Sequence, residues 1–265
     1  MVSELIFVGL GLSGTGGMTV DALNALKECD KIYAEFYTSH LIGTSISDLE
    51  KTIGKKIEIL HRAQVEEDDS VIRDAAKMRV GFVTAGDTMS ATTHVDLRIQ
   101  AAEDGIPVRV FHGISIFSAC QSAFGLQPYK FGRTVTLPFY EMNYRPKSPY
   151  DNILENKKRG LHTMVLLDIR ESEDRYMTAA EAIQWLLDGE EMWKEGLIDG
   201  KTLMCVASRV GSPEEKLTAG YPGDLLRKDL GKPLCTLVIP GKLHFMESYA
   251  LVHFAGAPEE IIEDE

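Results

Sequence analysis

The sequence predicts an α/β protein with two domains, and three observations support this prediction. Over the first 112 residues, short apolar runs alternate with amphipathic segments, which is the pattern of a mostly parallel sheet. Glycine turns follow the first and fourth of these runs, as expected where strands break into loops. The later apolar runs show more alternation and more turn residues, which favours a mixed sheet. The boundary is expected near 113–127, with domains at 1–112 and 113–265.

Composition excludes several classes of protein. The chain has 265 residues, of which 44% are hydrophobic and 26% charged, and no apolar run is long enough to span a bilayer. We therefore expect a soluble protein, and since no secretory signal is visible, a cytoplasmic one. The net charge of −12 argues against a general binder of nucleic acid or anionic membranes. Four cysteines beside apolar runs predict buried, reduced thiols, and no histidine pair has zinc-site spacing, so no metal is expected.

The elements of the first domain follow from its periodicity. Strands are predicted over residues 5–10, 31–36, 56–60, 79–85 and 106–111, and helices after Thr19 and over 47–53, 69–78 and 93–102. In a parallel sheet the loops that follow the strands meet at one edge. Leu12, Asp87 and the segment HGISIFSA are therefore expected to converge on one cleft.

The loop after the first strand contains a possible dinucleotide fingerprint. Gly9, Gly11 and Gly14 spell G-x-G-x-x-G. In that motif the third glycine lies at the start of the helix whose amides hold the pyrophosphate, whereas here four residues separate Gly14 from the predicted N-cap Thr19. The spacing argues against a nicotinamide or flavin site.

The stretch VTAGDTMSATTH over 83–94 is predicted to be a buried strand that breaks into a ligand-contacting turn and then a helix. Asp87 lies just past the strand's carboxyl end, where ligands bind in open parallel sheets. A second interpretation is equally open: Asp87 caps the helix that follows. The same choice applies to Ser115, which either contacts a ligand or caps a helix, and to Ile116, which either contacts a ligand or belongs to the core.

The second domain reads as a mixed sheet with helices. Strands are predicted over 133–139, 162–169, 202–210 and 234–240, helices over 149–159, 178–187 and 246–254, and a loop over 212–224. Neither a nucleophile elbow nor a P-loop is present. The remaining pattern of glycine turns, hydroxyls and one acid suits a small amphipathic cofactor held largely by backbone groups.

Nine motifs in order, covering nearly the whole chain, resemble the diphthine synthase family: GLGL, YAEFYTS, GDTMSATTH, SIFSA, YKFG, GLHTMVLLDI, RYMTAAEA, SRVGS and PGKLHFME. The resemblance implies a tetrapyrrole methylase-like fold with S-adenosyl-L-methionine in the cleft between two domains. It also implies an archaeal homodimer that trimethylates the amine of 2-(3-amino-3-carboxypropyl)histidine on translation elongation factor 2, a step in diphthamide biosynthesis. Two alternatives are a methylase of the same fold acting on a small molecule such as a tetrapyrrole, and a nucleotide-sensing module without chemistry.

The resemblance also implies a set of cofactor contacts, carried over motif by motif. They are Leu12, Asp87, Ser90, Ser115, Ile116, Leu167, Ser208 and His244. Thr88 stands where the family usually has proline, and Ser90 and Ser208 replace apolar residues, so contacts at these two serines are expected through the backbone. A structural role at a turn is an equal alternative for His244. No motif offers an evident general base, so no catalytic residue is assigned and the acceptor amine is expected to lose its proton to solvent.

Overall fold

A computed structural model describes residues 2–36, 41–66, 68–141, 144–170 and 173–262. The last three residues of the YAEFYTS motif, 37–39, lie outside the described residues. So do the last three residues of the acidic C-terminal end, 263–265. The chain divides into two compact units, Met1–Ile116 and Phe117–Glu265. The sequence-based boundary after residue 112 stays a prediction.

The first unit is a parallel five-stranded sheet in the order β3-β2-β4-β1-β5. Its strands are β1 (Glu4–Gly9), β2 (Lys31–Glu35), β3 (Glu58–Ile59), β4 (Arg79–Thr84) and β5 (Val108–Phe111). Its helices are α1 (Val20–Lys27), α2 (Ile46–Ile53), α3 (Arg62–Glu66), α4 (Ser70–Ala75) and α5 (Val95–Glu103). The predicted parallel sheet is confirmed. The short helix α3 was not predicted, because its five residues carry little periodic signal.

The central strand β1 is buried along its whole length because helices cover both faces of the sheet. Ile6 and Val8 face the core cluster that contains α1 and α2, while Leu5 and Phe7 face the cluster that contains α4 and α5. The helices that follow the neighbouring strands β1 and β4 thus lie on opposite faces. A ligand crevice forms at such a switch point, outside the carboxyl ends of the two strands.

The second unit contains a mixed sheet in the order β11-β10-β12-β7-β6 and a two-stranded ribbon of β8 and β9. Its strands are β6 (Val135–Leu137), β7 (Thr163–Leu167), β8 (Ile169–Arg170), β9 (Arg175–Tyr176), β10 (Met204–Ser208), β11 (Lys216–Gly220) and β12 (Cys235–Ile239). The remaining helices are α6 (Ile116–Phe124), α7 (Ser148–Lys158), α8 (Ala179–Trp193), α9 (Pro222–Leu225) and α10 (Phe245–Ala255). Among the described strand pairs of this five-stranded sheet, β6 and β7 are parallel and the other three pairs are antiparallel, so the predicted mixed sheet is confirmed.

The loop predicted over residues 212–224 is wrong, because it contains the strand β11 and the short helix α9. The strand lies at the edge of the sheet beside β10, and it carries lysine, threonine and glycine among its five residues. An edge strand has one neighbouring strand and one covered face, so fewer of its side chains need to be apolar. Its apolar pattern in the sequence is therefore weak. Within the described ranges, no helix combines the length and apolar character needed to cross a bilayer.

Candidate functional site

Three loops of the first unit meet at the carboxyl ends of β1, β4 and β5 through direct contact of their backbones. A Cβ at Gly113 would clash with the carbonyl oxygen of Gly86, and a Cβ at Gly9 would lie 2.6 Å from the same oxygen. Only glycine permits this approach. The backbones of Gly11 and Gly86 also exchange two hydrogen bonds, of 3.1 and 2.7 Å. The structure therefore brings together the loops that carry Leu12, Asp87 and Ser115, as predicted for this edge.

The loop after β1 does not have the geometry of a dinucleotide fingerprint. Helix α1 begins at Val20, and its N-cap Thr19 accepts a hydrogen bond of 3.1 Å from the backbone of Ala22. Gly14 instead donates to the carbonyl of Ile42 in the loop after β2. The glycine loop is thus separated from the helix start, as its spacing predicts.

The Asp87 carboxylate ties two of these loops together. Oδ1 accepts hydrogen bonds from the amide of Met89 (2.9 Å) and the hydroxyl of Ser90 (3.2 Å). Oδ2 accepts from Nδ1 of His112 (2.8 Å) and the amide of Gly113 (3.2 Å). A carboxylate has about four acceptor positions. All four of these bonds lie within the protein, so we infer that Asp87 shapes the site and supplies charge more than it offers free lone pairs.

The alternative interpretation of Asp87, a cap on the following helix, is wrong. Helix α5 begins at Val95, with His94 at the N-cap and no side-chain cap bond. The Asp87 carboxylate instead accepts from the amide of Met89, two residues further on, which makes an Asx turn. The predicted start of this helix at residue 93 is two residues early, because Thr92 bonds back to the carbonyl of Thr88 and holds the chain in a turn.

The charge of these loops selects the kind of ligand. Burial opposes ionisation of Asp87, but the hydrogen bonds from the Met89 amide, His112 and the Gly113 amide outweigh burial and hold its pKa below the usual value. The stretches 9–19, 85–94 and 112–116 contain no lysine or arginine. A fixed negative charge in loops without lysine or arginine suits a cationic ligand and does not suit a pyrophosphate.

His112, whose imidazole is a side-chain partner of Asp87, is not among the site residues that the sequence predicts. The His112 side chain is 72% exposed, whereas that of Asp87 is 8% exposed. Its position in the sequence could have indicated a site residue, because His112 directly follows β5 at the edge where the loops converge. It lies in the segment HGISIFSA, where the family motif points to Ser115 and Ile116. Ser115 directly precedes α6, which begins at Ile116.

A buried polar pair that the sequence does not predict lies beneath the Asp87 turn. Nδ1 of the fully buried His94 lies 3.1 Å from the carbonyl oxygen of Thr88, and Nε2 lies 3.2 Å from Oε1 of the fully buried Glu35. The second contact is close but is not aligned as a hydrogen bond. Since a carbonyl oxygen only accepts, Nδ1 carries a proton. His94 therefore anchors the turn that carries Asp87 through its bond to the Thr88 carbonyl, with Glu35 at the end of β2 beside its other ring nitrogen.

In the second unit, Leu167 and Ser208 end the parallel strands β7 and β10 and so lie at the same edge of the sheet. The Ser208 hydroxyl is buried, donates to the carbonyl of Leu230 (2.6 Å) and lies 3.1 Å from the Cys235 sulfur. Its side chain is thus occupied within the protein. This agrees with the expectation that any ligand contact at Ser208 is through the backbone.

His244 is separated from this pair, contrary to the expected grouping. It follows the carboxyl end of β12, and that end pairs with Thr163 at the start of β7, which is the opposite edge of the sheet. His244 is the N-cap of α10, where its Nδ1 accepts from the Met246 amide (3.3 Å). The alternative of a structural role at a turn therefore accounts for His244. The residue that the geometry brings to the edge of Ser208 is Leu234, whose carbonyl accepts from the Arg209 amide (2.8 Å).

Three of the recognised motifs meet at Glu247, which is fully buried. Its carboxylate accepts from Lys130 of YKFG, from Nε2 of His162 in GLHTMVLLDI (3.0 Å) and from the amide of His244 (2.8 Å). Burial opposes its ionisation, yet the bond from Lys130 and the backbone amides lower its pKa. These motifs therefore support one another at the start of α10.

The chain is similar to known proteins over nearly its whole length. Residues 4–225 match the family model of tetrapyrrole (corrin/porphyrin) methylases. The chain is 44% identical to the diphthine synthase of Methanothermobacter thermautotrophicus, with 98% of each chain covered, and 48% identical to that of Methanocaldococcus jannaschii, with 93% of this chain and 97% of the relative covered. A crystal structure of diphthine synthase superposes with a TM-score of 0.89 at 34% identity, covering 98% of this chain and 99% of that one.

The chain belongs to the diphthine synthase family. It is accordingly an S-adenosylmethionine-dependent methyltransferase with the tetrapyrrole methylase-like fold. The loops at the Asp87 turn fit this cosubstrate, because a sulfonium and an ammonium both favour a nearby carboxylate, and close-packed glycine backbones leave main-chain groups to hold the rest.

Other chemistries have little support in this diphthine synthase family member. All four cysteines are free and buried, and burial raises the pKa of Cys120 to about 12, so a thiolate nucleophile is disfavoured. Among the residues that the structure describes, no three histidine, cysteine or acidic side chains cluster as metal ligands.

Proposed function

We propose that the protein is the diphthine synthase that trimethylates the amine of 2-(3-amino-3-carboxypropyl)histidine on translation elongation factor 2. The observation that carries this proposal is the Asp87 turn, which offers an ionised carboxylate in loops that contain no lysine or arginine, at the ligand edge of the first sheet. That electrostatic character favours the cationic donor S-adenosylmethionine. The identity to diphthine synthases over nearly the full chain supports the acceptor.

The proposed contacts to S-adenosylmethionine follow from the position of each loop. In the first unit they come from Leu12, from Asp87 and Ser90, and from Ser115 and Ile116, which all belong to the three loops that meet at the glycine contacts. In the second unit they come from Leu167 and the backbone of Ser208. His244 is excluded from the proposal because it lies at the opposite edge of its sheet.

The test is transfer of labelled methyl groups. The purified protein is incubated with labelled S-adenosylmethionine and with elongation factor 2 that carries the unmethylated intermediate. We expect label on the factor and a mass increase of three methyl groups on the modified histidine. Label on an added tetrapyrrole but not on the factor would establish the small-molecule alternative. Cosubstrate binding without transfer to either would indicate a binding module.

We further propose that the protein acts as a cytoplasmic homodimer. Helix α10 supports an interface between copies, because a stripe of large apolar side chains along it is exposed: Phe245, Met246, Tyr249 and Phe254. Sedimentation velocity should give the mass of a dimer, and Phe254→Glu should shift the protein toward the monomer. A monomeric wild-type protein would contradict this proposal without affecting the proposed chemistry.

A further inference from the structure

We propose that His112 is the general base of the reaction and that its Nε2 takes the proton from the acceptor ammonium before each methyl transfer. The inference rests on the proposed function, since it requires an amine acceptor. It goes beyond the sequence, which offers no evident base and predicts proton loss to solvent. The geometry that carries it is the pairing of His112 with Asp87.

The Asp87 carboxylate fixes the tautomer of His112. Oδ2 of Asp87 lies 2.8 Å from Nδ1 and can only accept, so Nδ1 carries the proton of the neutral imidazole. Nε2 is then left with a lone pair. The carboxylate is itself held by the amides of Met89 and Gly113, so it cannot turn away easily. An oriented imidazole backed by a buried carboxylate is the arrangement that serves as a base in other enzymes.

His112 is accessible and has few ionisable neighbours. Its side chain is 72% exposed, while its partner is 8% exposed. The loop after β1 contributes no ionisable side chain between Gly9 and Thr19. The loop after β4 contributes Asp87 and the fully buried His94, and the end of β2 contributes the fully buried Glu35. An acceptor amine that approaches this edge can therefore reach the imidazole of His112, which is exposed, whereas that of His94 is buried.

The proton balance gives the base a task in every round. An α-amino group has a reference pKa of about 7.7 to 8.0, so much of the acceptor is an ammonium near neutral pH. Nε2 of His112 accepts one N–H proton, and the freed nitrogen lone pair forms a bond to the methyl carbon. The carbon–sulfur bond breaks, and its electron pair converts the sulfonium into the neutral thioether. Since His112 is exposed, the imidazolium then releases its proton to solvent, and the base is restored for the next methyl group.

The discriminating variant is His112→Asn. The asparagine Nδ2 occupies the place of Nδ1 and can still donate to Asp87, but the group at Nε2 is lost. We expect the affinity for S-adenosylmethionine by calorimetry and the melting temperature to stay close to wild type. Single-turnover transfer near pH 7 should fall about 10²-fold to 10⁴-fold, the range of general acid–base catalysis. The deficit should shrink as the pH rises, because the amine then loses its proton without help.

A matched control is His61→Asn, an exposed histidine of the same unit, which should transfer at the wild-type rate. An equal loss at every pH, or a loss of cosubstrate affinity in H112N, would show that His112 only positions Asp87. Transfer by H112N at the wild-type rate would equally overturn the inference. If the wild type itself transfers no label to the factor, the proposed function fails instead.

A readout independent of turnover is the tautomer of His112 in the free protein, observed by ¹⁵N NMR. The inference requires a proton on Nδ1 and a lone pair on Nε2 when the imidazole is neutral. A proton on Nε2 would contradict it.

Discussion

At the scale of a single residue, Asp87 has two roles: it holds the turn through hydrogen bonds and it places a negative charge at the site. Its carboxylate accepts four hydrogen bonds from two loops, so it is needed to hold the turn, and its lowered pKa keeps it ionised at neutral pH. The sequence identifies Asp87 as a site residue, because an acid that follows a buried strand and a glycine is a local pattern. Its partner at position 112 could not, because that contact joins loops 25 residues apart.

The Asp87→Asn variant separates charge from shape. It removes the negative charge and turns one acceptor into a donor that faces other donors. We expect S-adenosylmethionine to bind at least about tenfold more weakly by calorimetry, equivalent to about 1.4 kcal/mol. The exposed Asp104→Asn on α5's C-cap is the matched control and should bind normally. Unchanged affinity in D87N together with a lower melting temperature would mean that Asp87 is only structural.

Ser208→Ala tests whether that residue contacts the ligand through its side chain. The hydroxyl donates to the buried carbonyl of Leu230, so its removal leaves that oxygen without this partner and should cost about 1 to 3 kcal/mol of unfolding free energy in denaturant titrations. Affinity for S-adenosylmethionine should not change, because the proposed contact is through the backbone. Weaker binding out of proportion to the loss of stability would show a side-chain role.

At the scale of elements, the turn between β4 and α5 depends on a fully buried histidine, His94. His94 packs against Phe82, with ring centroids 5.0 Å apart, and holds the Thr88 carbonyl from below. The hydroxyl oxygens of Thr84 and Thr88 have no hydrogen-bond partner among the described residues, so the His94 contact is a principal polar anchor of this turn.

Two substitutions at position 94 distinguish anchoring from packing. In His94→Asn the amide nitrogen takes the place of Nδ1 and can donate to Thr88, whereas in His94→Gln it takes the place of Nε2 and faces Glu35. Both should lower the melting temperature. We expect H94N to keep S-adenosylmethionine affinity within about threefold and H94Q to lose about tenfold or more, by the same free-energy scale as above. Equal affinities for the two variants would refute the anchoring role.

The start of α10 is a second element held by a buried histidine. Burial lowers the pKa of His162 and outweighs the opposing effect of Glu247. His162 accepts from the Gly241 amide through Nδ1 and donates to Glu247 through Nε2, which defines the neutral form.

Stability should therefore fall as the pH drops below about 6.5, the ordinary histidine pKa, because the unfolded chain takes up a proton that the folded protein resists. Calorimetric melting at pH values from about 7 to 5 measures this slope. His162→Gln retains a donor to Glu247 but does not titrate, so its melting temperature should fall less over that range. A slope as steep as that of the wild type would assign the pH dependence to other groups.

At the scale of the whole molecule, the sequence predicts the fold class well and the fine contacts poorly. Strands buried on both faces and helices with regular apolar spacing carry their own signal, so both sheets and most helices were predicted. The edge strand β11 was missed because pairing with β10 compensates for its weak pattern. The antiparallel direction of β12, which moves His244 away from Leu167 and Ser208, is a property of sheet topology that no local pattern contains.

The central claim, that the cosubstrate lies against the Asp87 turn, is tested most directly by a crystal structure with bound S-adenosylhomocysteine. The account predicts the ligand in contact with the backbone at Leu12 and Ser115 and beside the carboxylate of Asp87, with His112 still paired to that carboxylate. A ligand bound at His244, or anywhere that leaves the loops after β1, β4 and β5 uncontacted, would contradict it.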